Sequence, residues 1–225
     1  MKFKTSYDPN FLVLASSSPR RKNIISSVWP RVPVLTPSGN EQPRRDNESP
    51  AEMVVRIALQ KARDVESEIR DGYILSADTV VVLGDKILGK PRNRQEAVIM
   101  LEELRGGVHQ VITGVVLLES LSGLISHRVK VSDVEIRMIS DLEIERYVDS
   151  GESFDKAGGY AIQDTSFKPA NFILGCYLNV VGLPMCSVIE LIKDAGIDTK
   201  LSLDCDFLEK CVNGHSSLGG SDLVL

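Results

Sequence analysis

The chain has 225 residues, 43% of them hydrophobic, so it can bury a real core, and single domains commonly run to about 200–250 residues. Lys plus Arg number 26 against 31 Asp plus Glu, a net charge of −5 with 5% aromatics, which excludes a general nucleic-acid binder while leaving room for a small anion in a local basic pocket. No apolar run approaches bilayer length, and the apolar stretch Phe11 to Ala15 is too short for the core of a signal peptide, so no membrane role is expected.

Strand and helix patterns alternate along the chain, which predicts an α/β fold. Phe11 to Ala15 reads as a buried strand entering the turn Ser16-Ser17-Ser18-Pro19, followed by a helix from Arg20 to Trp29. Val32 to Leu35 is a short strand, and Pro37 to Asn47 a polar loop carrying Glu41. Ser49-Pro50-Ala51-Glu52 is a capping box with proline at the first helical position. Val54, Ile57, Ala58, Ala62, Val65 and Ile69 then form one apolar stripe at helical spacing, with Lys61 beside it. Tyr73 to Leu83 is a buried strand interrupted by Ser76, Asp78 and Thr79; a turn leads into Lys86 to Leu88. Asn93 and Glu96 cap a helix ending at Gly106-Gly107, and two long strands follow, His109 to Leu118 and Leu124 to Met138. A second capping box, Ser140 to Glu143, opens a helix that stops before Gly151. Phe172 to Cys176 reads as a strand, and Pro184 to Ala195 as a helix closed by Gly196. Residues 1–200 form one expected domain, with room for two lobes around a cleft; 201–225 form an extension whose Gly- and Ser-rich end, from Asn213, is expected to fray.

Three stretches carry chemistry that packing does not call for. Asp155-Lys156-Ala157-Gly158-Gly159-Tyr160-Ala161-Ile162-Gln163 combines an acid, an ammonium, a glycine pair and an amide. Glycines let a backbone approach a ligand, lysine holds a phosphate as a point charge, and an amide reads hydrogen bonds. The plain alternative is a glycine-rich turn running into a strand. Ser16 to Arg21 gathers hydroxyls, amides and guanidinium groups at a strand-to-helix turn, an anion site or simply a capped helix start. Asp78 lies in an apolar strand, where an unpaired carboxylate is costly. It is read as a metal ligand or general base with Thr79 beside it, against a structural aspartate bonded to backbone. Lys90, between Gly89 and Pro91, is either a phosphate contact or a solvated turn lysine. His109, His127 and His215 share no metal-ligand spacing and are assigned no chemistry. Cys176, Cys186, Cys205 and Cys211 form no C-x-x-C pair and are expected as reduced thiols in a cytoplasmic protein.

Taken in order, these pieces resemble the Maf family of nucleoside triphosphate pyrophosphatases. The matching segments are Leu14 to Arg21, Ser49-Pro50 through Lys61-Ala62, Ala77 to Val81, Gly89-Lys90-Pro91, Ala97 to Leu104 with Gly106, Val111 to Val115, Asp155 to Gln163 and Asn179 to Pro184. The resemblance implies an elongated mixed sheet flanked by helices, like that of the inosine triphosphate pyrophosphatases, in a homodimer. It implies a divalent cation, Mg²⁺ or Mn²⁺, and cleavage of a nucleoside triphosphate, dTTP or UTP, to monophosphate and pyrophosphate. By motif position Asp78 matches the catalytic aspartate and, with Glu41, a metal ligand. Arg20, Thr79 and Gln163 match positions linked to substrate choice, and Ser16, Lys61, Lys90 and Lys156 the remaining substrate contacts. Asp164-Thr165 stands where the family usually has glycine, and the loop around Glu41 is one residue longer than usual. A non-catalytic nucleotide-binding regulator of cell division is the second reading.

Overall fold

The computed structural model describes residues 11–39 and 42–197, together with the backbone of Ser216–Ser217. Its frame is one mixed eight-stranded sheet in the order β2-β1-β3-β5-β6-β7-β8, with β4 pairing β3 off this path. The strands are β1 (Leu12–Ala15), β2 (Val34–Leu35), β3 (Tyr73–Leu83), β4 (Lys86–Leu88), β5 (Val108–Glu119), β6 (Ile125–Ile136), β7 (Ala170–Leu174) and β8 (Ser216–Ser217). β1 runs parallel to β2 and β3; every other pairing is antiparallel. The helices are α1 (Pro19–Val28), α2 (Pro50–Glu66), α3 (Arg94–Leu104), α4 (Asp141–Asp149), α5 (Tyr177–Val181) and α6 (Met185–Asp194).

Strand periodicity sorts the core. Leu12, Leu14, Leu75 and Ala77 face α1 and α6, meeting Ile24, Ile25, Val188 and Ile192. The alternate residues Val13, Ala15 and Ile74 meet Ala62 and Val65 of α2 on the opposite side. α2 forms for the reasons its sequence gives. Ser49 and Glu52 exchange both capping-box hydrogen bonds, and Val54, Ile57, Ala58, Ala62 and Val65 are all buried. It sits so close to the sheet that a Cβ on Gly114 of β5 would lie 2.9 Å from the Val54 carbonyl carbon. Farther along, Val81, Val111, Val134 and Ile136 pack against α3, α4, Tyr160 and Phe167.

The register leaves one notch in the sheet. β1 pairs with Tyr73–Ser76 of β3 and then ends, whereas β4 begins pairing only at Val81. Between them, Ala77 to Val80 keep β5 on one side and have no strand on the other among the described residues. Ligand sites in α/β sheets collect where a strand ends and a gap opens.

The sequence reading fits most elements to within a few residues and errs at the end of β7. Gly175, at φ +125°, ends β7 at Leu174, and Cys176 then opens the five-residue helix α5, so the strand expected over Phe172 to Cys176 lies earlier. The plain alternative for the stretch after Lys156, a turn into a strand, does not form: Ala157–Gly159 makes a 3-10 turn with Gly158 at φ +72°. No helix among the described residues is long and apolar enough to cross a membrane. Cys176 and Cys186 are unbridged, while Cys205, Cys211 and the expected tail lie outside the described residues apart from the backbone of Ser216–Ser217.

Candidate active site

A cleft of about 390 Å³ opens at the notch. Its walls are the free stretch of β3, the inner face of α2, the turn from β1 into α1, the β4–α3 loop, the glycine-rich loop 155–163 and the end of α5. Arg20, Lys61, Asp78, Thr79, Lys90, Lys156 and Gln163 all line it, although they come from five separate segments of the chain. Ser16 does not. It is buried beneath the turn, where its Oγ accepts the Ser18 amide at 3.1 Å and shapes the entry to α1. Glu41 lies outside the described residues.

Asp78 points to the α2 side of the sheet with Ser76 and Val80. Ser76 Oγ donates to the Ala58 carbonyl at 2.7 Å, fixing α2 against β3 one turn from Lys61. Lys61 Nζ then reaches Asp78 Oδ1 at 2.6 Å, with only 14% and 9% of the two side chains exposed. Burial of both charges is tolerated because they are paired. Behind this pair, Arg56 holds Glu48 through both carboxylate oxygens at 2.5 and 2.8 Å. The Arg56 guanidinium and the Arg45 amide hold the Glu48 carboxyl down, to a pKa of about 2. Sequence reading passed over Glu48 and Arg56; their spacing, an acid just before the cap and a base eight residues on, was the available signal.

Thr79 shares the cleft with Asp78 as expected, but it enters from the other face of the strand, since adjacent strand residues face opposite sides. Its Oγ1 instead accepts Arg21 Nη2 at 2.9 Å and lies 2.9 Å from Thr113 Oγ1. Thr113 donates to the Asn179 carbonyl at 3.1 Å, so the proton between the two threonines belongs to Thr79. Toward a bound molecule Thr79 is therefore left as an acceptor only. Arg21 also donates through Nε to the Gly182 carbonyl at 2.7 Å. Asn179, fully buried, donates to the Val111 carbonyl and to Ser132 Oγ, both at 2.9 Å. This chain of contacts forms the floor of the cleft. Arg21, Thr113 and Asn179 stand inside the quoted segments yet were given no individual role, because a sequence does not show which side chains meet.

The opposite wall is charged and more open. Arg20 donates to Asp155 Oδ2 at 2.7 Å and to its carbonyl at 3.1 Å. Lys156 meets Asp155 Oδ1 at 2.5 Å and Glu152 Oε2 at 3.0 Å. Gly158 N–H donates to the Gly89 carbonyl at 3.0 Å, so the segments bearing Lys90 and Lys156 are tied backbone to backbone. Gly158 is needed there: its φ is +72°, and a Cβ would press on Val81 at 3.1 Å. Neither Lys90 nor Gln163 has a side-chain hydrogen-bond partner among the described residues. Cations on three sides of a cleft with a carboxylate at its base can hold a polyphosphate and present an oxygen nucleophile to it. The described residues contain no group of three or more His, Cys, Asp or Glu side chains able to cage a metal ion.

The chain is similar to known proteins over most of its length. The family model described as "Maf-like protein" matches residues 11–195. A dTTP/UTP pyrophosphatase of Dehalococcoides mccartyi strain CBDB1 is 43% identical over 197 residues, covering 85% of each chain. Another from Desulforamulus reducens is 39% identical over 189 residues, covering 83% of this chain and 97% of that one. Among solved structures, a HAM1 protein from Coxiella burnetii superposes with a TM-score of 0.41 at 15% identity, over 70% of this chain and 88% of that one.

Proposed function

Because this chain belongs to the Maf family, we propose that it hydrolyses dTTP and UTP to the nucleoside monophosphates and pyrophosphate. The observation that carries the reading is the position of Asp78, a carboxylate at the base of a cation-lined cleft, beside the free edge of β3. Mg²⁺ is ordinarily held by one or two carboxylates together with substrate phosphates, so Asp78 fits as a ligand of such an ion, Mg²⁺ or Mn²⁺, with Glu41, which lies outside the described residues, as the second carboxylate by family motif. Such an ion would offset the negative charge of the triphosphate.

In the mechanism we infer, Asp78 accepts a proton from a water as the water oxygen bonds to the α-phosphorus in line with the departing β-phosphate oxygen. The bond from the α-phosphorus to that bridging oxygen breaks, and pyrophosphate leaves with the electron pair. Lys90, Lys156 and Arg20, which line the cleft, stabilise that growing negative charge in this reading. Lys61 holds the Asp78 carboxylate in place across a nearly dry contact. No covalent intermediate is required. At the base, the Gln163 amide offers a donor and an acceptor, which suits the alternating edge of thymine or uracil.

The deciding experiment presents dTTP, UTP, CTP and 7-methylguanosine triphosphate together at equal concentration with Mg²⁺ or Mn²⁺, and measures each monophosphate. A pyrimidine preference, depressed most for dTTP and UTP by Gln163→Glu, supports the reading. A clear win for the methylated guanine nucleotide ends the assignment, and binding without turnover would favour a nucleotide-sensing regulator. We further propose a cytoplasmic homodimer, which sedimentation of the purified protein tests.

A further inference from the structure

His109 was given no chemistry by its spacing, yet the structure puts it in contact with the loop that carries Lys156 and Gln163. His109 on β5 is 2% exposed and Tyr160 is 5% exposed. His109 Nε2 lies 2.6 Å from Tyr160 Oη, with the rings edge to face at 78°. Tyr160 sits in an apolar cluster with Val111, Val134, Leu104 and Ile136, and Asp133 on β6 is a charged group that acts on the imidazole. His109 Nδ1 is buried with no hydrogen-bond partner.

The proton count of this pair is informative. A neutral imidazole has one N–H and one bare nitrogen, and the phenol has one O–H. If Tyr160 donates to Nε2, the proton on Nδ1 finds no acceptor. If Nε2–H donates to Tyr160, the phenol proton finds none. Either arrangement leaves one buried donor over, whereas two apolar side chains of similar shape would leave nothing unsatisfied. The pair is thus a poor way to fill a core and a specific way to fix a ring. What it fixes is the middle of a loop that is also anchored at its start by Arg20 on Asp155 at 2.7 and 3.1 Å, and farther on by Gly158 N–H to the Gly89 carbonyl at 3.0 Å and Ala161 N–H to Tyr147 Oη at 2.9 Å.

We propose that His109 is a positioning residue: through the Tyr160 hydroxyl it holds the loop 155–163 so that Lys156 and Gln163 face the cleft. This rests on the reading of the cleft given above. Burial also keeps the imidazole neutral down to a pKa of about 4, so the contact does not change over the working range of pH.

The test uses three variants of the full chain: His109→Gln, His109→Leu, and the double apolar variant His109→Leu with Tyr160→Phe. Steady-state kinetics with dTTP are measured beside amide hydrogen exchange of residues 155–163 in the substrate-free protein. The double variant is expected to melt no lower than His109→Leu, since it removes both polar partners together. Its KM should nevertheless rise about tenfold, more than its kcat falls, because misplacing a binding loop weakens substrate contacts. Exchange in 155–163 should quicken in both apolar variants, and His109→Gln, which can still reach the phenol, should recover most of the wild-type KM. A double variant with wild-type KM and unchanged loop exchange would overturn the proposal, as would a His109→Gln variant no better than His109→Leu. Hydrogen exchange reads the positioning whatever the substrate, so a wild-type protein inactive on dTTP would count against the proposed function and not against this contact.

Discussion

The two walls of the cleft are built from different physics. On the α2 side, Lys61 and Asp78 meet with 14% and 9% of their side chains exposed, braced by Ser76 on Ala58 and by Arg56 on Glu48. On the loop side, Arg20 and Asp155 meet with 26% and 56% exposed, and Asp155 also serves Lys156. A dry pair is costly to break and cannot easily trade partners, while a wet pair contributes roughly 0.2–1 kcal/mol and exchanges readily. One wall is therefore suited to holding the reacting group in a single geometry. The other is suited to letting go of Asp155 and taking hold of phosphate.

That contrast can be broken in order of expected effect. Asp78→Asn keeps the shape of the dry wall and removes its charge; kcat for dTTP should fall at least about 100-fold, with the folded state retained by circular dichroism. A variant keeping more than about a tenth of wild-type rate, a barrier change of roughly 1.4 kcal/mol or less, would show that Asp78 is not the reacting carboxylate.

Acid should loosen the walls at different pH. The buried His109 has its pKa lowered from 6.5 to about 4, so the unfolded chain takes up its proton first. Its effect is therefore a loss of stability as pH falls from 6.5 toward 4, on the order of 3 kcal/mol in full. Glu48 is the opposite kind of group, a carboxylate lowered from 4.5 to about 2, whose stabilisation is complete above 4.5 and fades as pH falls toward 2. Urea unfolding across this range should show a first decline that His109→Gln flattens and a second that Glu48→Gln flattens. A single decline unaffected by His109→Gln would contradict the ordering.

Lys90→Ala and Lys156→Ala should each slow turnover about tenfold while leaving Mn²⁺ binding in place, since in the proposed mechanism each lysine stabilises the leaving pyrophosphate. Unchanged kinetics in both would leave Lys90 a solvated turn lysine and Lys156 a buried lysine that only ties Glu152 to Asp155. The smallest effect belongs to Asp155→Asn. Freeing Arg20 and Lys156 from an exposed competitor should lower KM by no more than about threefold. A rise in KM would mean that Asp155 itself is needed by the substrate.

How far the sequence foretold this site depended on whether a residue's role is local. The capping boxes at Ser49 and Ser140 and the α2 stripe depend on neighbours three or four positions away, and both boxes and the stripe stand in the structure. The lysines and Asp78 were legible because charged groups beside glycine or within an apolar strand are conspicuous. Thr79 lines the same cleft as Asp78, as read, but from the opposite face of the strand, which chain adjacency alone does not show. Arg21, Asn179 and His109 were unread for the same reason in reverse. Their partners lie 58, 68 and 51 residues away, and only the folded sheet brings them together.

The notch along Ala77 to Val80 also bears on solubility. A bare strand edge invites another chain to add itself to the sheet. This edge is about 13 Å long at the usual rise per residue, and it is stopped at both ends, by Ala15 of β1 and Leu88 of β4. A free run of that length is shorter than the roughly five or six residues of a common strand, and the two stops leave no room to extend it. The protein can thus leave main-chain edge open to a small molecule at the heart of its sheet without opening it to its own aggregation.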